Sequence, residues 1–186
     1  MKLGTLEWVP AGDRPDLLAD PVARAIGAMT SEMASEGASG VAGEVSVAPI
    51  DPALADTAAF CERYGVAPEE SANCVIVAAK RGGETRYAAV MVLATMRADV
   101  NGVVRRHLDA RKTSFAPQQE AVALSGMEYG GITPLGLPGD WPVLVDAEVA
   151  RRPLLVIGSG IRGSKLALSG EALARLKTAE VVALAQ

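Results

Sequence analysis

Apolar residues in this chain fall into two rhythms, and the switches between them mark out the elements. From Asp20 to Glu36, DPVARAIGAMTSEMASE places them at helical intervals, with Pro21 suited to a first turn. Met29 and Met33 share that spacing and read as core side chains. Gly37 and Gly40 are expected to end the helix. Pro52 to Tyr64 predicts a second helix closed by Gly65, and others are expected around Asn101 to Asp109, from Pro117 to Ser125 and over EALARLK. LGTLEWV alternates weakly, and VAGEVSVAPI alternates clearly, as a half-buried strand does. ANCVIVAA and RYAAVMVLAT are apolar runs joined by KRGGE, whose Gly pair predicts a β-hairpin tip. WPVLVD, PLLVIG, KLALS and AEVVALA complete the strands. Hairpins mixed with crossover helices predict one α+β domain on a mixed, twisted, partly barrel-like sheet with surrounding helices.

Composition narrows the class. The chain has 186 residues, 49% of them hydrophobic, enough for one packed core. Aromatics are only 4%, so aliphatic side chains and Met must fill it. No apolar run approaches the roughly 20 residues of a membrane span, and MKLGTLEWVPAGDRPD lacks the apolar stretch of a signal peptide. Cys61 and Cys74 form no disulfide framework and fit a reducing cytosol, so a cytoplasmic protein is expected.

A net charge of −4 argues against non-specific coating of nucleic acid. Two basic clusters remain. One is Lys80, Arg81 and Arg86; the other is Arg105, Arg106, His107, Arg111 and Lys112. Either reads as a solvated face or as a local anionic contact. With one histidine, flanked by arginines, a His-rich zinc site is excluded and a Ser-His-Asp triad has only His107 to use. GSGIRG, Gly158 to Gly163, has the letters GxGxxG but leads into the strand KLALS rather than a helix, and no GxxxxGK[ST] loop is present, so a nucleotide-cofactor loop is not signalled.

The glycine-dense stretch is GGITPLG, from Gly130 to Gly136. A Gly pair accepts positive φ and lets a ligand approach bare backbone, while Pro134 stiffens the turn. Successive main-chain N–H groups there form a cradle for a carbonyl oxygen, in the manner of an oxyanion hole. The alternative is a tight surface turn joining helix to strand.

Three segments in order bear on that choice: IDPALADTAAFCERYGVAPEESANCVIV, then GGITPLG with PVLVDA, then LLVIGSGIRGSKLALSGEALARL. Together they resemble the YbaK/prolyl-tRNA synthetase-associated domain family of aminoacyl-tRNA deacylases. The resemblance runs from about Val47 to the C-terminus. Residues 1–40 are then an N-terminal extension packed on the domain, and 41–186 the editing domain.

The resemblance implies hydrolysis of the ester between a misattached amino acid and the terminal ribose of a tRNA. Prolyl-type acceptors are the expected substrates, and the enzyme would act in trans. Water is the nucleophile, and no metal or cofactor is implied. Gly130 and Gly131 would be catalytic, with Ile132, Thr133, Pro134, Leu135 and Gly136 continuing the ester-facing wall. Gly160 and Arg162 of the second glycine turn would join the substrate site. Arg105, Arg106, Arg111 and Lys112 would contact the tRNA. A transient association with a synthetase is expected, but no DNA or membrane partner.

Two positions depart from the family pattern. Where many members carry lysine at the strand start, this chain has Asn73, followed by Cys74; where members place an acid after the Gly/Arg turn, it has Lys165. Lysine offers a charge, and asparagine only a neutral amide. Asn73 is expected at the catalytic centre and Lys165 in the substrate pocket, which rearranges the pocket for a different aminoacyl group. The alternatives are a catalytically altered module that binds aminoacyl-tRNA or a small aminoacyl-like ligand, and a small-molecule esterase unrelated to RNA.

Overall fold

Ala72–Arg81 and Glu84–Leu93 pair along their whole lengths in the computed structural model, which describes residues 3–36 and 45–185. Gly82 and Gly83 both have positive φ, 60° and 87°, as a two-residue turn matching strand twist requires. Around this hairpin the chain runs β1 (Val9–Pro10), α1 (Asp20–Glu36), β2 (Ser46–Pro49), α2 (Thr57–Tyr64), β3 (Ala72–Arg81), β4 (Glu84–Leu93) and α3 (Arg105–His107). It continues with β5 (Lys112–Phe115), α4 (Gln118–Ser125), β6 (Val143–Asp146), α5 (Ala147–Ala150), β7 (Leu155–Gly158), β8 (Ser164–Leu168), α6 (Gly170–Ala174) and β9 (Ala179–Val182).

These strands make two sheets. One has the order β1-β2-β8-β7, all antiparallel; the other has β5-β3-β4-β6-β9, with β4-β6 and β6-β9 parallel. A parallel bridge between Ser71, just before β3, and Val156 links the start of the hairpin to β7. The fold is the expected mixed α+β domain, and the sheets do not close into a barrel.

Both faces of the sheets are covered, and strand alternation assigns each side chain its face. On β8, Leu166 and Leu168 enter the main core, which also holds Ile157 of β7 and Met91 of β4. Ala167 of β8 points the other way, with Val156, to a second cluster around Phe60 of α2. By the same alternation Lys165 belongs to the Phe60 side. Val90, Val92 and Leu144 face a third cluster with Val104 and Leu184.

Several sequence expectations shift in detail. The helix expected over Asn101 to Asp109 is a π turn, Val100–Val104, running into the short α3. The Asp99 carboxylate starts it by accepting from the N–H groups of Gly102 and Val103 at 2.9 and 3.0 Å. β5 was hidden in sequence because KTSF is polar; of its four residues only Thr113 is buried. In LGTLEWV only Val9 is in a strand, and of VAGEVSVAPI residues 41–44, with Gly37 and Gly40 before them, lie outside the described residues. The side chain of Met33 also lies outside them, while Met29 packs partly buried against the main core. Ala11, Leu18, Val22 and Ile26 enter that core too, so the N-terminal segment is built into the structure.

Candidate functional site

The Pro52 to Tyr64 segment is not one helix, and its interruption builds one wall of a cavity. A single 3-10 turn, Pro52–Leu54, stops at Ala55; Asp56 is extended (ψ 136°), and α2 then begins at Thr57. Three successive residues at this break, Ala55, Asp56 and Thr57, reach other parts of the chain. The Ala55 carbonyl accepts from Lys165 Nζ at 2.8 Å. Asp56 Oδ1 lies 3.7 Å from the Arg162 guanidinium. The Thr57 hydroxyl donates to Asn73 Oδ1 at 2.8 Å.

These contacts border a cavity of about 580 Å³ between α2, the first half of β3, β7, β8 and the loop at Gly130. Its size lies within the range of small-ligand sites. Lys165 is the buried cation of the lining, 7% exposed, with its ammonium 5.3 Å from the centre of the Phe60 ring. Burial, and then the nearby Arg162 charge, pull its pKa down to about 8, against smaller opposing effects of Asp56 and Cys61. Cys74 also lines the cavity, and desolvation pushes its thiol up to about 12, which leaves it protonated and poorly nucleophilic at neutral pH.

The two glycine turns are stitched together by main-chain hydrogen bonds. Gly131 N–H donates to Glu128 O at 2.9 Å, Gly160 N–H to Gly131 O at 2.7 Å, and Glu128 N–H to Gly160 O at 2.8 Å. A Cβ on Gly131 would sit 2.6 Å from Ile161 O, and neighbouring main-chain atoms are almost as close. Gly131 is thus bare because backbone abuts it, and its N–H is not available to a ligand.

Gly130 (φ 83°) and Ile132 line the cavity. No other residue of the loop does. Thr133, Pro134 and Leu135 are buried away from it, and Gly136 packs on the first turn of α1, where a Cβ would meet Pro21 O at 2.4 Å. Gly160 is buried against Ala19 and Val22. Arg162 braces the wall from behind: it donates to Pro52 O at 3.1 Å and Tyr129 O at 3.4 Å, and its own N–H reaches Glu128 Oε2 at 2.7 Å.

Asn73 and Lys165 line the same cavity from β3 and β8. With its Oδ1 held by Thr57, the Asn73 amide nitrogen has no protein partner among the described residues, and neither does the Gly130 N–H. Arg105, Arg106, Arg111 and Lys112 lie elsewhere, at the hairpin-tip end of the five-stranded sheet. Lys112 pairs with Lys80, whereas Phe115, at the cavity, pairs with Val77. Three residues of strand separate them, about 10 Å. Arg81 and Arg86 tie the tip to Asp109 and to the Leu108 carbonyl, and His107 meets Glu180 at 2.9 Å.

Sequence reasoning missed Thr57, Phe115 and Tyr129. Thr57 was masked by a helical rhythm that runs through it. Phe115 and Tyr129 are large rings left 62% and 56% exposed, both on the cavity lining, where nothing in their neighbours signals it.

A sequence model of the aminoacyl-tRNA editing domain family matches residues 51–176. Solved structures share the fold. The hypothetical protein APE2540 superposes with a TM-score of 0.70 at 20% identity, covering 84% of this chain and 98% of that one. A protein described as a candidate trans-editing enzyme for prolyl tRNA synthetase gives 0.68 at 17% identity, covering 87% and 97%. No helix among the described residues is long and apolar enough to cross a membrane.

Proposed function

The chain belongs to the aminoacyl-tRNA editing domain family, and from that premise we propose that it is a deacylase acting in trans on mischarged tRNA in the cytosol. The observation that carries this reading is the pairing of two uncommitted donors, the Gly130 N–H and the Asn73 amide, on one small-ligand cavity. Water attacks the ester carbonyl carbon and gives up a proton; the bond to the ribose oxygen breaks, and that oxygen takes up a proton to become the free hydroxyl as the amino acid leaves. The two donors receive the charge that develops on the carbonyl oxygen, and positioning plus charge stabilisation suffices for an activated ester. Gly131 supports Gly130 from behind rather than touching the ester, and Arg162 holds the wall through Pro52 and Tyr129.

The exposed rings of Phe115 and Tyr129 at the mouth offer the terminal base a stacking surface. The basic residues around Arg106 and Lys112 suit the phosphates of an acceptor stem beyond it. A panel of mischarged tRNAs, prolyl acceptors first and with or without a synthetase added, tests the proposal by release of free amino acid. Turnover that Asn73→Ala lowers about 100-fold, and that Gly130→Val abolishes in a protein that still folds, supports it. Binding without turnover on every tRNA points instead to a module that has lost hydrolysis, and Asn73→Lys then asks whether a charge restores it.

A further inference from the structure

Resting on that reading, we propose that the cavity is built for an acyl group with a carboxylate side chain, which the floor of the cavity receives through Lys165. The lining is graded in depth. Tyr129, Gly130 and Phe115 are exposed, whereas Lys165, Phe60 and Ser71 are buried. An ester held at Gly130 therefore sits near the mouth and directs its side chain inward. What waits there is an ammonium with spare capacity. Lys165 Nζ has three donors, and one is spent on Ala55 O.

Among the described residues no carboxylate lies within 4.0 Å of it to neutralise it. The acid of the lining, Asp56, is turned to Arg162 and stands exposed. The Phe60 ring covers one side of the ammonium, so a ligand must approach from the cavity. Burying a charge without a partner is costly, and an incoming carboxylate removes that cost while gaining charge-assisted hydrogen bonds. An apolar side chain leaves the ammonium stripped of water, and a cationic one is repelled. Rejection of both is thus built into the same residue.

The test uses amide-linked, non-hydrolysable 3′-aminoacylamino-3′-deoxyadenosines bearing aspartyl, glutamyl and leucyl groups, titrated calorimetrically into the whole protein, alongside hydrolysis of the matching aminoacyl-tRNAs. The wild type should bind an acidic analogue about 10- to 100-fold more tightly than the leucyl one, and Lys165→Met should erase or invert that ratio. A wild-type preference for leucyl, no binding by any of the three, or a ratio that Lys165→Met leaves intact would overturn the proposal. So would a loss of hydrolysis in Lys165→Met that is equal for all acyl groups, which places the charge at the reacting carbonyl. Binding in the expected ratio with no hydrolysis of any ester upholds this inference and rejects the deacylase reading alone.

Discussion

Lys165 of β8 and the carbonyl of Ala55 meet across 110 residues of sequence, 2.8 Å apart, at the break that precedes α2. The contact joins one sheet to the cavity wall at the cost of an ammonium taken out of water. Its pKa of about 8 lies below the ordinary 10.5. Between those values the unfolded chain binds a proton that the folded one does not, so stability rises with pH there. The gain is fully present above pH 10.5 and is lost as pH falls through 8, with an upper bound of about 3–4 kcal/mol. Arg162 adds to the depression and Asp56 and Cys61 oppose it. Denaturant unfolding from pH 7 to 10 should show wild type gaining on Lys165→Met above pH 8; parallel curves would refute it.

Gly131 should behave as a packing residue. A Cβ there meets main-chain atoms of Ile161, which cannot swing aside. Gly131→Ala is expected to destabilise by about 1–3 kcal/mol or more through overpacking. Gly139→Ala, where a Cβ meets nothing within 4 Å, should stay within about 0.5 kcal/mol of wild type. Equal melting temperatures for the two variants would remove the structural role assigned to Gly131.

Thr57 and Asn73 form a pair in which one residue aims the other. The hydroxyl holds Oδ1 and so leaves the amide nitrogen for a ligand. Asn73→Ala should lower kcat about 100-fold, the scale of losing one oxyanion donor, with KM nearly unchanged. Thr57→Val should lower kcat less, about ten-fold, because the amide is still present but no longer held. A Thr57→Val enzyme as impaired as Asn73→Ala would mean that the hydroxyl itself touches substrate.

The sequence and the structure agree where local chemistry decides. Gly65 closes α2 in the left-handed conformation, and Gly82 and Gly83 turn the hairpin, both as expected from the sequence. Agreement fails where long-range pairing overrides rhythm. The 52–64 segment reads as helix, yet Ala55 and Asp56 are drawn out by Lys165 and Arg162, partners 106 to 110 residues away that no local pattern reveals. Glycine density is visible in a sequence, but its cause is not: Gly130 borders the cavity, Gly131 abuts Ile161, and Gly136 abuts Pro21.

Phe115 offers a hydrophobic ring to solvent at the cavity mouth, 62% exposed, so it adds little to the packing of the folded chain. Phe115→Ala should therefore leave stability within about 0.5 kcal/mol of wild type. It should weaken binding of a 3′-aminoacyl-adenosine analogue about 5- to 100-fold, the scale of one lost stacking contact. An amino acid methyl ester, which has no base, should be unaffected. Equal losses on both ligands would assign the ring to the acyl pocket instead.

Under the proposed function, the basic end of the five-stranded sheet gives a test that separates tRNA binding from ester chemistry. Arg106, Arg111 and Lys112 are exposed and make no ion pair among the described residues, unlike Arg81, which is engaged with Asp109. Lys112 lies about 10 Å along β5 from Phe115 at the cavity, too far to touch the acyl group, and we assign it with Arg106 and Arg111 to the phosphates that follow. Replacing the three with alanine should weaken binding of whole tRNA. It should also flatten the dependence of log K on log salt by close to one unit per phosphate contact removed. Hydrolysis of an aminoacyl-adenosine, which has no such phosphates, should proceed at the parent rate. If the salt slope stays unchanged while tRNA binding persists, the nucleic acid approaches from another face. The cavity would then be reached without crossing the hairpin tip.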